Sequence, residues 1–217
     1  MCSFLIYNFL VENISKYNYF LKFRGPDYTN TYNHNFKNLF FTFLHNLLNI
    51  TGKIKYQPFV KNNIICLYNG EIYNHKLFGS FDSDGECIIY AYEKYNTNFC
   101  KYLNGEFAIV LFDFNKNIFI LSTDIFATKP LWYNITDKYL GISSYKSGLL
   151  HPNLKNECIK LSANTILVYD IEKLKLLNES RIYNFNLKQY ISNFNKWEIA
   201  FINSVKNRAY NCKYPVF

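Results

Sequence analysis

The chain has 217 residues, 49% hydrophobic and 20% aromatic, which suits one sizeable folded domain and excludes intrinsic disorder. Its formal net charge of +8 comes from 24 basic against 16 acidic residues, and Arg24, Arg181 and Arg208 are the only arginines. The lysines form no clustered patch or stripe, so the charge does not mark a nucleic-acid binder. The joint abundance of Lys, Asn, Ile, Tyr and Phe follows AT-rich codon bias instead.

The chain opens on Met1-Cys2, and the apolar run from Ser3 to Leu10 reads as a strand. Methionine is commonly trimmed when the second residue is this small. Trimming leaves a thiol and an α-amine of pKa ~7.7–8.0 on one residue, a nucleophile and a base together. No basic segment precedes an apolar stretch, and no apolar run is long enough to span a bilayer. Residues 63–68 are an apolar run ending at Asn69-Gly70, a strand entering a turn. Ser83 followed by Glu86 forms a capping-box pattern opening a helix over about 84–96, with apolar residues at 88, 91, 92 and 95. Residues 106–114 and 118–123 read as a hairpin around Asn115-Lys116-Asn117, and 165–170 with 174–178 as another around Ile171-Glu172-Lys173. From Asn195 to about Tyr210, apolar residues at 197, 201, 205 and 209 make a helical stripe.

The six cysteines (2, 66, 87, 100, 158 and 212) contain no CxxC pair and no metal-ligand spacing. Cys66, Cys87 and Cys158 lie among apolar residues and read as buried small hydrophobes. His34, His45, His75 and His151 are scattered, which argues against zinc. The many Tyr and Phe residues read as core and sheet surface rather than as a base-stacking platform.

Behind Cys2, five segments occur in order: Arg24-Gly25-Pro26-Asp27, Asn69-Gly70-Glu71-Ile72-Tyr73-Asn74-His75, Ser83-Asp84-Gly85-Glu86, Leu103-Asn104-Gly105-Glu106-Phe107-Ala108, and Asp124 through Tyr133. Together they resemble the class II glutamine amidotransferase (Ntn-hydrolase) domain, specifically the N-terminal half of glutamine-dependent asparagine synthetases. The resemblance is dense to about residue 150 and thinner beyond. It implies an α+β fold, a four-layer αββα sandwich of two antiparallel sheets whose first strand begins with the nucleophile. The implied reaction is hydrolysis of glutamine to glutamate and ammonia through a thioester on Cys2, with the Cys2 amine protonating the departing ammonia.

The resemblance implies further roles. The Asn69 side chain and the Gly70 backbone N–H would form an oxyanion hole. Asp84 would anchor the glutamine α-ammonium, with Glu71 in the same pocket, although a residue opening a helix is also a natural cap. Arg24 would lie near the nucleophile and either favour its thiolate or brace a loop. Lys129-Pro130-Leu131-Trp132-Tyr133 is typical of the family and reads as a structural turn and strand. Residues 2–190 are expected to form the amidotransferase domain. Residues 191–217 would begin an ATP-dependent synthetase domain, whose Ser-Gly-Gly-x-Asp-Ser loop this sequence does not contain. No cofactor is then expected for this domain, since ATP and magnesium belong to the synthetase part. The implied partners are glutamine and a synthetase domain or subunit, with no nucleic acid and no membrane; a homodimer stays open. A catalytic thiol also calls for a reducing, cytoplasmic location.

Three positions depart from the family pattern. Where the family has His-x-Arg-Leu-x-Ile, with the arginine on the substrate carboxylate, this sequence has His45-Asn46-Leu47-Leu48-Asn49-Ile50. Leu47 leaves that carboxylate to another cation, with Arg24 and Lys53 as candidates, or to backbone N–H groups. Ser3 replaces the glycine after the nucleophile and threatens crowding there. Ala127 also stands where the family has glycine. These departures keep a second reading open, a non-catalytic binding or regulatory module that retains the fold.

Overall fold

Alternation of side chains along the strands decides the layers, because each strand has two faces to bury. The computed structural model describes residues 1–50, 53–186, 188 and 194–209. Its strands are β1 (Ser3–Tyr7), β2 (Tyr28–Phe36), β3 (Leu39–Leu47), β4 (Phe59–Lys61), β5 (Ile64–Ile72), β6 (Gly105–Asp113), β7 (Ile118–Thr123), β8 (Trp132–Ile135), β9 (Leu140–Ser143), β10 (Ile159–Lys160), β11 (Thr165–Asp170) and β12 (Leu176–Arg181). The α-helices are α1 (Ile14–Asn18), α2 (Cys87–Tyr95) and α3 (Asn195–Ala209).

The strands form two six-stranded sheets, ordered β10-β8-β9-β1-β3-β2 and β12-β11-β7-β6-β5-β4. Every recorded pairing is antiparallel. The faces of the two sheets meet over Phe4, Ile6, Phe41, Phe43, Ile65, Leu67, Val110, Phe112 and Leu121. On the far side of the second sheet, Cys66, Tyr68, Ile109 and Leu111 pack against Ile88, Ala91 and Tyr92 of α2. On the far side of the first, Leu5, Tyr7 and Leu44 are covered by Leu21, Leu149 and the α1 residues Ile14 and Tyr17. Three apolar interfaces thus stack four layers, the expected αββα sandwich.

The two expected hairpins form as β6–β7 and β11–β12. The capping box is present, but the segment it opens is a 3-10 turn at Asp84–Glu86 that continues into α2. Asn69-Gly70 is not a turn: both residues lie within β5, opposite Ala108 and Phe107. Cys66 and Cys87 are buried as expected, whereas Cys158 is half-buried and Cys100 is fully buried in its place. Cys212 and Tyr210 lie outside the described residues. The helix expected near the end forms as α3, and Trp197, Phe201 and Val205 of its stripe are exposed.

Candidate active site

β1 is an interior strand, paired on one side to β3 and on the other to β9. Its register sets Ser3 opposite Asn46, so Cys2, one residue earlier, comes level with Leu47 at the end of β3. There the Leu48 N–H donates to the Cys2 Sγ at 3.4 Å. β1 and β5 approach within 8 Å at their Cα atoms across the sandwich. On β5, Ile65 and Leu67 face the other sheet, so alternation turns Asn69 and Glu71 to that same side.

Gly70 is fixed by sterics. A Cβ built there would sit 2.0 Å from the Glu106 carbonyl oxygen, so only glycine lets β5 and β6 come this close. Gly25 has the same reason, with an ideal Cβ 2.2 Å from the Asn46 carbonyl oxygen. That contact lays the Arg24–Asp27 segment against β3. Asp27 then braces the loop after β3, its Oδ2 accepting the Asn49 N–H at 2.7 Å.

Asp84 does not cap the helix through its side chain. Its Oδ2 accepts the Ile72 N–H at 2.7 Å and the Tyr68 hydroxyl, which ties the 3-10 turn to β5. The capping carboxylate is Glu86, whose Oε2 accepts the Ser83 N–H at 3.0 Å. Tyr68 stays protonated, because burial and then Asp84 and Glu71 push its hydroxyl well above the ordinary range.

The electrostatics join these groups into one site. Burial pushes the Cys2 thiol upward; the Leu48 hydrogen bond and the terminal amine oppose this, and Glu71 and Asp84 add to it. The thiol is therefore protonated at neutral pH and needs a base to react. The terminal amine is held below its ordinary value chiefly by burial, with the charges of Arg24 and Lys129 acting the same way and Cys2 and Glu71 opposing. Burial, and then the neighbouring Asp84, raises Glu71 to about 7, against a pull from Lys129. So the Cys2 thiol lies within the electrostatic reach of Glu71 and Asp84, the terminal amine within that of Arg24 and Lys129, and Asn69 and Gly70 are the residues before Glu71 on the facing strand. The Arg24 guanidinium lies over the Tyr145 ring at 5.4 Å.

The departures resolve differently. Ser3 causes no crowding: its side chain leaves from the strand face opposite Cys2, donates to the Leu21 carbonyl at 2.7 Å and accepts from Asn46 Nδ2 at 3.0 Å. Asn46 also exchanges hydrogen bonds with Asn18 and accepts from Thr29. Leu47 is buried, 8% exposed, beside Cys2. Of the candidate replacement cations, Lys53 is exposed and paired with Asp82 at 2.9 Å, whereas Arg24 stands at the terminus. Ala127 holds a left-handed conformation, φ 49°. Ala127→Gly is accordingly expected to stabilise the protein by about 1 kcal/mol, relief of αL strain outweighing glycine's entropy, measured by urea denaturation. An unchanged midpoint would mean that the strain at Ala127 is no larger than the entropy that glycine costs.

Three residues near this site escaped sequence reasoning: Tyr68, Glu106 and Lys129. Glu106 is the register partner of Glu71, and its carboxylate meets Lys129 Nζ at 3.4 Å. The available signal was the pair of motifs at 103–108 and 124–133, which served only as marks of the family resemblance, with Lys129–Tyr133 read as a structural turn and strand.

A sandwich of two antiparallel sheets with a thiol at the head of an interior strand defines an N-terminal-nucleophile hydrolase fold. The chain belongs to the glutamine amidotransferase domain family, whose description "Glutamine amidotransferase domain" is matched by residues 1–192. It is 32% identical over 163 residues to asparagine synthetase [glutamine-hydrolyzing] 2 of Bacillus subtilis, covering 70% of this chain and 20% of that protein. It is also 32% identical over 116 residues to the amidase chyE of Penicillium rubens, covering 48% and 17%. Among solved structures, the glutamine phosphoribosylpyrophosphate amidotransferase of B. subtilis shares the fold, with a TM-score of 0.62 at 15% identity over 84% of this chain and 49% of that one. The chain spans well under half the length of the curated relatives it matches. Among the described residues, no helix is long and apolar enough to cross a membrane.

Proposed function

We propose that this domain hydrolyses glutamine to glutamate and ammonia through a thioester on Cys2, and that the ammonia serves asparagine synthesis from aspartate by a synthetase part. The observation that carries this reading is the approach of β1, whose first residue follows Cys2, to β5, the strand that carries Asn69, Gly70 and Glu71 and is tied to Asp84 through the Ile72 N–H. Met1 is 41% exposed, so the terminus is open to trimming, which moves the free amine onto Cys2.

In the proposed sequence the amine takes the thiol proton and the sulfur attacks the side-chain carboxamide carbon. Negative charge developing on the carbonyl oxygen is met by the Asn69 amide and the Gly70 N–H. The C–N bond breaks as the ammonium returns its proton to nitrogen, and ammonia leaves. Water then attacks the thioester, releasing glutamate and restoring the thiol. This route draws on no resident cofactor. Asp84 and Glu71 supply the negative charge for the substrate ammonium, and Arg24 the positive charge beside the terminus.

The test is glutamate release by the purified chain, with loss of Met1 confirmed by intact mass. No release from folded, trimmed protein would overturn the reading. Leu47, apolar and beside Cys2, favours the second reading, a module that binds a ligand without hydrolysing it. Binding of glutamine without release would support that one.

A further inference from the structure

Lys129 is 8% exposed, an unusual degree of burial for a lysine. The turn before it is held from within. The Asp124 carboxylate accepts the N–H groups of Phe107 at 3.0 Å, Phe126 at 2.8 Å and Thr128 at 3.0 Å, and the Thr128 hydroxyl at 3.0 Å. This buried knot anchors the turn to β6 and sends the next side chain, Lys129, inward to Glu106. Glu106 in turn accepts from the Tyr73 hydroxyl at 3.2 Å and from Arg208 Nε of α3 at 3.3 Å. Burial works against the charge of Glu106, but Lys129, Tyr73 and Arg208 together outweigh it and keep its carboxyl below the ordinary range.

We propose that Lys129 is a positioning residue of this site, a cation held by Glu106, the strand partner of Glu71, which acts through Glu71 and the chain's N-terminus to set the pH range over which Cys2 reacts. The proposal rests on the glutaminase reading for its consequence in turnover, not for its electrostatics. The charged groups facing the terminus are Arg24 from the turn before β2, Glu71 from β5, and Lys129 from the turn after β7. Those facing Glu71 are Asp84, Lys129, Glu106 and the terminus itself. Losing the Lys129 cation therefore raises the proton affinity of the terminal amine and of Glu71, and it reaches the Cys2 thiol through those two groups. Losing the Glu106 carboxylate has the opposite sign.

The experiment follows the rate of Cys2 alkylation by iodoacetamide against pH in the trimmed protein, beside the pH profile of glutamate release. Lys129→Met is expected to move the rising limb of both profiles upward by about half a unit to one unit, and Lys129→Arg to restore it. Glu106→Gln is expected to move it downward by a similar amount, and it keeps the proposal falsifiable if Lys129→Met does not fold. A role confined to structure would lower the melting temperature without opposite displacements. Alkylation profiles that superimpose for Glu106→Gln, or for folded Lys129→Met, and wild type would overturn the proposal. If no variant and no wild-type protein releases glutamate but the alkylation limbs still move, the glutaminase reading fails and the role of Lys129 stands.

Discussion

Cys2→Ala is expected to abolish glutamate release, by at least about a thousandfold, while leaving the fold intact. The size follows from the chemistry: without sulfur no thioester forms, and water would have to attack an unactivated amide directly. The fold should survive because what anchors this end of β1 is the Ser3–Asn46 hydrogen bond and the paired backbone, neither of which uses the Cys2 side chain. Cys2→Ser is a sharper variant of the same measurement. Its hydroxyl is far less acidic than a thiol, and a terminal amine is too weak a base to activate it well. Release persisting in either variant at the wild-type rate would place the nucleophile elsewhere.

Leu47→Arg is expected to lower the KM for glutamine by about a hundredfold or more with little change in kcat. A carboxylate without its partner in a closed pocket loses roughly 3–5 kcal/mol, and a contact made equally in ground and transition states appears in KM alone. The position permits the test. Leu47 lies level with Cys2 and belongs to none of the three apolar clusters, so its replacement does not hollow a core. A KM that does not move would mean that Arg24 or backbone N–H groups already satisfy the carboxylate, or that the natural ligand has none.

Much of this arrangement was legible in the sequence, because hairpins, the capping box and the family-like segments are local patterns. The failures are of one physical kind. Asn69-Gly70 looked like a turn because a glycine after asparagine tolerates positive φ. The real demand on Gly70 is the approach of the Glu106 carbonyl, which comes from another strand. Asp84 looked like a cap because it opens a helix, yet its partners are Tyr68 and Ile72 on β5. Ser3 looked like an obstruction because it follows Cys2, and strand alternation sends it to the other face. Lys129 looked inert because nothing nearby in the sequence reveals Glu106 across the sheet. Local patterns such as the Ser83–Glu86 capping box were read correctly because their partners were local.

The position of β1 has a consequence for the order in which the protein is made. Its neighbours are drawn from residues 39–47 and 140–143, so one edge of β1 waits for a strand more than half the sequence away. Pairings this distant form late, after much of the chain is available. β1 therefore stays unpaired on one edge until residues 140–143 are available. Under the proposed mechanism, the seating of β9 against β1 would be among the steps that complete the surroundings of Cys2.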